Sequence, residues 1–435
     1  MDLRPHRLPD DVLSRLGAGG GGGRAMRALT AAEESKHRLL VFAVADLAPS
    51  EPVRRAFDVL TRVEKSHREV VRDVLRHPAV GAWAKRTVHE LQRGRDGGPR
   101  GSAQLGAVAA VAAARAGVEC RIEVPAWRGT VMLPSLGQIS LREPVSGPVE
   151  LRVRAGGTAE AAGLSFTAAP AVVNGRGDAE GGPPPAGWEP LHRISVAGPS
   201  LLVDDLDPFR WDPATATDDR LAPAELRHWR DCHAAAWDLL TAHHWTIAEE
   251  VAAAVSVLTP IKGPEHGQNS ASARDRFGTV AMSTPPDGRW LASTYAHEVQ
   301  HAKLGAVLDV VELVRPDARR YYAPWRDDPR PLPGLLQGAY AYLGVAGFWR
   351  RQREYDPDRR PHIEFARWRR SAFEVTGTLL ASGALTGPGE EFVTRMRGTL
   401  SAWQDEPVPA SLRAAAREEA DAHHRAWVAR NGLTG

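Results

Sequence analysis

Residues 289–314 read RWLASTYAHEVQHAKLGAVLDVVELV. Apolar residues recur there at spacings of three and four, Pro285 and Pro286 stand just ahead and Pro316 just beyond, so the spacing predicts one helix across the segment. Inside it His297-Glu298-Val299-Gln300-His301 has the form HExxH. Residues four apart share a helix face, which points both imidazoles at one place and lets a helix donate two nitrogens to a divalent ion. The plain alternative is an amphipathic helix that happens to carry two histidines.

A zinc peptidase built on this motif would use Glu298 as general base and needs a third protein ligand. The familiar extension places Gly and His at positions 304 and 307, where this chain has Leu304 and Val307. Asp309 and Glu312 are nearby carboxylates, but on a continuous helix they lie about 12 and 16 Å along the axis from His301. A third ligand must come from another element.

Next comes YYAPWRDDPRPL (321–332), whose prolines, tryptophan and arginines predict a rigid, non-helical loop running into an apolar helix at 334–349. Arg326 and Arg330 are planar donors suited to a carboxylate. Pairing with Asp327 or Asp328 as structural glue is the equal alternative. Gln337 is the strongly polar side chain of LLQGAY, so burial would require a hydrogen-bond partner or an ion.

Upstream, helical periodicity covers 24–117, with helices expected at 39–47, 53–75 and 78–91 and an Ala-rich run at 104–118. The glycine-rich stretch 17–23 reads as a flexible loop after a short leading helix; no strand precedes it and it lacks the GK[ST] of a phosphate loop. From 118 to 210, CRIEVPA, TVMLP, QISLRE, VELRVRA and GLSFTAAP are short alternating runs between Gly and Pro, the pattern of strands. GGPPPAG (181–187) predicts an exposed loop, and LLVDDLDPFR an extended run ending in an acidic turn. Helical pattern resumes at Pro223. The expected fold class is α+β, mainly helical: a helical body, a β-rich segment in the middle and the HExxH helix in the C-terminal half. The corresponding regions are 1–117, 118–222 and 223–435, either as domains or as parts of one continuous globular unit.

The chain has 435 residues, and 55 basic against 53 acidic side chains give a net charge of +2, which argues against a polyelectrolyte nucleic-acid coat. Cys120 and Cys232 form neither a CxxC pair nor a disulfide framework, so a reducing cytoplasm is expected. The first residues lack the apolar stretch of a signal peptide, and 104–118 is too short to span a bilayer. No membrane or nucleic-acid partner is expected.

Taken together, FGTVAMSTPPD (277–287), HEVQHAKLGAVLDVVELV (297–314) and YYAPWRDDPRPLPGLLQGAYAYLGVAGFW (321–349) resemble the HExxH-type, 2-oxoglutarate-dependent peptide β-hydroxylases. These are associated with ribosomally made peptide natural products, sometimes alongside a radical-SAM maturase. Weaker similarity covers LTAAEESKHRLL and LLVDDLDPFR, so the resemblance spans most of the chain. It implies Fe(II) bound by His297 and His301, with 2-oxoglutarate and O₂ as cosubstrates and a precursor peptide as partner. The family pattern places a histidine where this chain has Gln337, so Gln337 is the implied third ligand, a weaker one through its amide oxygen. His266 and then His362 are the next choices; His423 and His424 read as surface residues. Glu298 would act beside the metal, and Arg326, Arg330 or Arg274 would bind the distal carboxylate of 2-oxoglutarate.

Two other readings compete. One is a cytoplasmic zinc peptidase; the other is a catalytically impaired peptide-binding relative, favoured if Gln337 cannot complete the site. The arginines of 349–354, 358–360 and 367–370 read as a solvated helical face ahead of an acidic-peptide groove.

Overall fold

A computed structural model describes residues 6–173, 183–264 and 267–432. The fold is α+β and mainly helical, 54% helix and 15% strand, the strands lying in several small sheets. The chain divides into two compact units. One comprises Met1–Ala32, Ala235–Ala254 and Asp287–Gly435; the other Glu33–Ala234 and Val255–Pro286.

In the first unit the helix Leu332–Gln352 packs against the HExxH helix Gly288–Leu308 and against Arg360–Ala381, which in turn packs on Gly387–Gln404 and Ala410–Asn431. The HExxH helix starts where Asp287 accepts a hydrogen bond from the Trp290 N–H, a standard N-terminal cap. It stops at Leu308, earlier than the periodicity of 289–314 predicts. Beyond it Leu313 is buried and Val314 bridges Leu385 in extended pairing, so tertiary pairing overrides the apolar repeat. Glu312 therefore lies off the helix altogether.

Two glycines set how closely these helices approach. A Cβ on Gly344 would sit 2.5 Å from Gln300 Cγ and 2.7 Å from the Ala296 carbonyl oxygen; one on Gly338 would sit 2.2 Å from Trp325 Nε1. Only glycine lets the HExxH helix and the Trp325 indole lie flat against this helix. The 321–332 loop is closed by strand pairing, Arg320–Tyr321 running antiparallel to Arg330–Pro331, and meets a helix at its C-terminal end alone.

The second unit buries the Ala-rich helix Leu105–Ala116, almost every residue of it, against Glu51–Ser66, Arg68–Leu75 and the strand Cys120–Ala126. The expected helix 53–75 is broken at His67, whose φ of −137° is not helical; Val63 on one side and Val71 and Val74 on the other are all fully buried. The strands form an antiparallel four-stranded sheet from 120–126, 147–153, 158–161 and 164–167, a three-stranded sheet and a mixed six-stranded sheet. The last recruits Val257–Pro260 and Thr279–Met282, which pair in parallel with each other, as Leu201–Val203 does with Val257–Pro260. These two strands lie in the part of the sequence that reads as helical from Pro223. Short continuous apolar runs such as VLTP and TVAM carry no period that separates strand from helix. Part of the expected loop 181–187 falls outside the described residues. No helix of the described residues is long and apolar enough to cross a membrane.

Candidate functional site

The site lies within the first unit, where the HExxH helix faces Leu332–Gln352. His297 and His301 converge through their Nε2 atoms, 3.1 Å apart. Two nitrogens each about 2.1 Å from a common ion can be no more than about 4.2 Å apart, so the pair fits as two ligands of one divalent metal. The His297 side chain remains 21% exposed. Burial pushes its pKa down to about 4, with Glu298 opposing and His301 adding to the shift. His297 is therefore a neutral imidazole at physiological pH, the form that binds metals.

Gln337 stands beside the pair, as the sequence suggests, but on the outer nitrogen: its Oε1 accepts from His301 Nδ1 at 2.9 Å. That bond places a proton on Nδ1 and turns Nε2 toward His297, the arrangement that orients a metal-binding histidine. Tyr342, one turn and a half further along, packs edge-on against His297 with ring centroids 5.2 Å apart. Trp325 stacks on Tyr342 at 4.9 Å, and Trp368 lies 4.1 Å from the same ring. The Trp368 indole N–H in turn donates to Glu364. The result is an aromatic wall beside His297, and burial holds the Tyr342 hydroxyl well above its ordinary pKa.

Glu298 is buried, and its Oε1 lies 3.9 Å from His297 Nε2, beyond hydrogen-bond reach. Arg326 Nε and Arg330 Nη1 donate to opposite oxygens of Asp328, at 2.9 and 3.0 Å. Each guanidinium thus commits a donor to Asp328 out of the five it owns, and the structural-pairing alternative is realised at least in part. Asp327 holds the loop from the other side, pairing with Arg430 on the C-terminal helix. His423 also serves that seam, its Nδ1 3.0 Å from the Tyr322 hydroxyl, while His424 is exposed.

Of the remaining sequence candidates, His266 lies outside the described residues. His362 is half-buried on Arg360–Ala381 and joins no group of three metal-ligating side chains. Arg274 belongs to the second unit, where its carbonyl accepts from Lys36 Nζ at 3.4 Å. Among the described residues, no third His, Cys, Asp or Glu joins His297 and His301 in such a group.

The glycine-rich stretch is a docked element. The Gly19 carbonyl accepts from Gln300 Nε2 at 2.9 Å and from Lys303 Nζ at 3.0 Å, bracketing His301 on its own helix. Lys303, fully buried, donates to both Glu250 oxygens at 3.0 Å, and the Gly22 N–H bonds Glu250 Oε1 at 3.0 Å. Burial draws the Lys303 pKa below its ordinary value against the pull of Glu250.

A second constellation escapes the sequence reading. In the second unit, His77, Asp204 and Asp207 bring one donor atom each to within 4.8 Å of one another, all three residues buried. The visible signal is DDLDPF after an apolar run, read from sequence only as an acidic turn; its histidine partner is 127 residues upstream of Asp204 and betrays itself by no spacing rule. The chain matches no protein-family model and no curated protein.

Proposed function

We propose that the protein is an Fe(II)- and 2-oxoglutarate-dependent hydroxylase acting on a side chain of a ribosomally made precursor peptide. The observation that carries this reading is the convergence of two imidazoles through Nε2, 3.1 Å apart, on the HExxH helix. Their softness and geometry suit a divalent transition ion, and a small protein ligand set leaves positions for cosubstrates. The resemblance drawn from the sequence supplies the reaction class.

His297 and His301 would hold the iron, and Gln337 would act as a positioning residue that fixes the His301 ring. When bound, the iron supplies activation of O₂ alongside the 2-oxo acid. The overall reaction balances: one oxygen atom enters a peptide C–H bond as a hydroxyl, and the other enters succinate as C1 of 2-oxoglutarate leaves as CO₂. Two electrons come from the 2-oxo acid and two from the C–H bond. The wall of Tyr342, Trp325 and Trp368 would shield the reacting centre from water and offer a peptide an apolar face. The remaining N–H groups of Arg326 and Arg330, cross-braced by Asp328, would serve as a cationic fork for the distal carboxylate.

The test is anaerobic loading with Fe(II), then 2-oxoglutarate and O₂, with succinate measured. Turnover that depends on all three and disappears in His297→Ala supports the proposal. Peptide cleavage that is independent of O₂ and supported by zinc would replace it with a peptidase. Iron binding without succinate formation, with or without added peptide, would favour the impaired binding relative.

A further inference from the structure

We infer that His77, Asp204 and Asp207 form a second, buried site for a divalent transition-metal ion, one that ties the start of the helix Pro78–Leu91 to the turn after the strand Leu201–Val203. The three residues are 4%, 1% and 1% exposed. His77 Nε2 faces Asp204 Oδ2 at 3.4 Å, and Asp207 Oδ2 has no hydrogen-bond partner. An unmet carboxylate oxygen at this depth is costly, and an ion at the focus of the three side chains would satisfy it.

The rest of each carboxylate is already committed to shaping the turn. Asp204 Oδ1 accepts from the Leu206 and Asp207 N–H groups at 3.3 and 2.9 Å, and Asp207 Oδ1 from the Phe209 N–H at 2.8 Å. These bonds fix both side chains and leave their Oδ2 atoms for another partner. The His77 backbone is held as well, because its carbonyl receives the Val80 and Gly81 N–H groups at the start of Pro78–Leu91, at 2.9 and 3.3 Å. Three buried donors from two distant segments are the arrangement a structural metal site requires.

Charge points the same way. Two carboxylates buried this deeply need positive charge close by. Arg210 favours the charged form of both carboxylates and Arg100 that of Asp207, but Arg210 directs its Nη atoms to the carbonyls of Asp207 and Thr217, and Arg100 lies over the Trp127 ring. The third nearby carboxylate, Asp205, turns away to Arg220 and the Leu221 N–H. A doubly charged ion would balance Asp204 and Asp207 while His77 supplies a nitrogen. One imidazole with two carboxylates suits zinc, manganese or ferrous ions and disfavours calcium and magnesium, which take all-oxygen sites. The burial of all three donors makes the site structural.

The experiment uses the full chain carrying His297→Ala and His301→Ala, which silences the HExxH pair, stripped by chelator and titrated with Co²⁺ and Zn²⁺. The expected result is one ion per chain and a raised Tm. Adding Asp207→Asn, which keeps the bond to Phe209, should weaken binding at least about 100-fold, more than loss of an outer contact does. X-ray absorption of the zinc-loaded double variant should show nitrogen and oxygen neighbours and no sulfur, a readout that stands even if Asp207→Asn fails to fold. No uptake by the double variant, uptake unchanged by Asp207→Asn and His77→Gln alike, or sulfur in the coordination shell would overturn the inference. None of these outcomes depends on the reaction proposed for the first unit.

Discussion

Lys303 offers the sharpest test of how the HExxH helix is held. Its ammonium is fully buried and makes three hydrogen bonds of 3.0 Å, two to Glu250 and one to the Gly19 carbonyl. Lys303→Met keeps the apolar stem and removes the charge. Glu250 then retains the Gly22 N–H, and an uncompensated carboxylate remains in the core, which costs about 3–5 kcal/mol at neutral pH. Adding Glu250→Leu removes the stranded charge and should recover most of the loss, a large favourable coupling in the double-mutant cycle. Urea unfolding reads the magnitudes, and hydrogen exchange within Gly288–Leu308 reports the first unit by itself. A Lys303→Met variant within about 1 kcal/mol of wild type, or a double variant as unstable as the sum of the singles, would refute the reasoning.

The other expectations are more direct. His297→Ala or His301→Ala should each abolish tight binding of the ion at the HExxH pair, read as metal per chain with His77, Asp204 and Asp207 left intact. Gln337→Leu deletes the acceptor at His301 Nδ1 and should weaken that ion by about 10–100-fold without loss of fold; unaltered affinity would remove the orienting role. Gly338→Ala places a methyl where Trp325 lies, so overpacking of about 1–3 kcal/mol should outweigh the gain in helix propensity of about 1 kcal/mol and change the tryptophan fluorescence. His244, buried beside Phe348 and bonded to Gln352, has its pKa pushed down to about 4 by burial. A depressed histidine pKa gives stability that is complete above about pH 6.5 and lost as pH falls through about 4, a total of about 3 kcal/mol. Matched urea melts of wild type and His244→Gln should diverge over that window; parallel profiles would contradict it.

How far the sequence carries depends on whether a feature is local. The helix Pro78–Leu91 and the strand Cys120–Ala126 stand at the positions their patterns predict, because a proline at a first turn and period-two alternation act within one element. The HExxH face was legible for the same reason, since four-residue spacing is enough to bring two Nε2 atoms together. The role of Gln337 was legible only in part. Its closeness to His301 follows from two helices pressed together at Gly344, but which imidazole nitrogen it meets depends on the rotation of one helix against the other. The partners of Gly19 and of His77 lie 284 and 127 residues away, and no periodicity reports pairings of that range.

The clasp at Gly19 also has a consequence for the order in which the chain matures. At about 5–20 residues per second of translation, Gly19 leaves the ribosome on the order of 15–60 s before Lys303 exists to meet it. The segment 33–234 is made entirely within that interval, so most of the second unit can collapse while the leading helix Asp10–Gly17 still shows Leu16, fully buried in the finished fold, to solvent. Docking that helix and its glycines then waits for the C-terminal third, a closure across nearly 300 residues of chain and hence a slow one. The imidazole pair gains its packed surroundings at that last step. A nascent chain stalled before residue 303 would present an unclasped leader to chaperones and proteases, and timed proteolysis of stalled chains would show it.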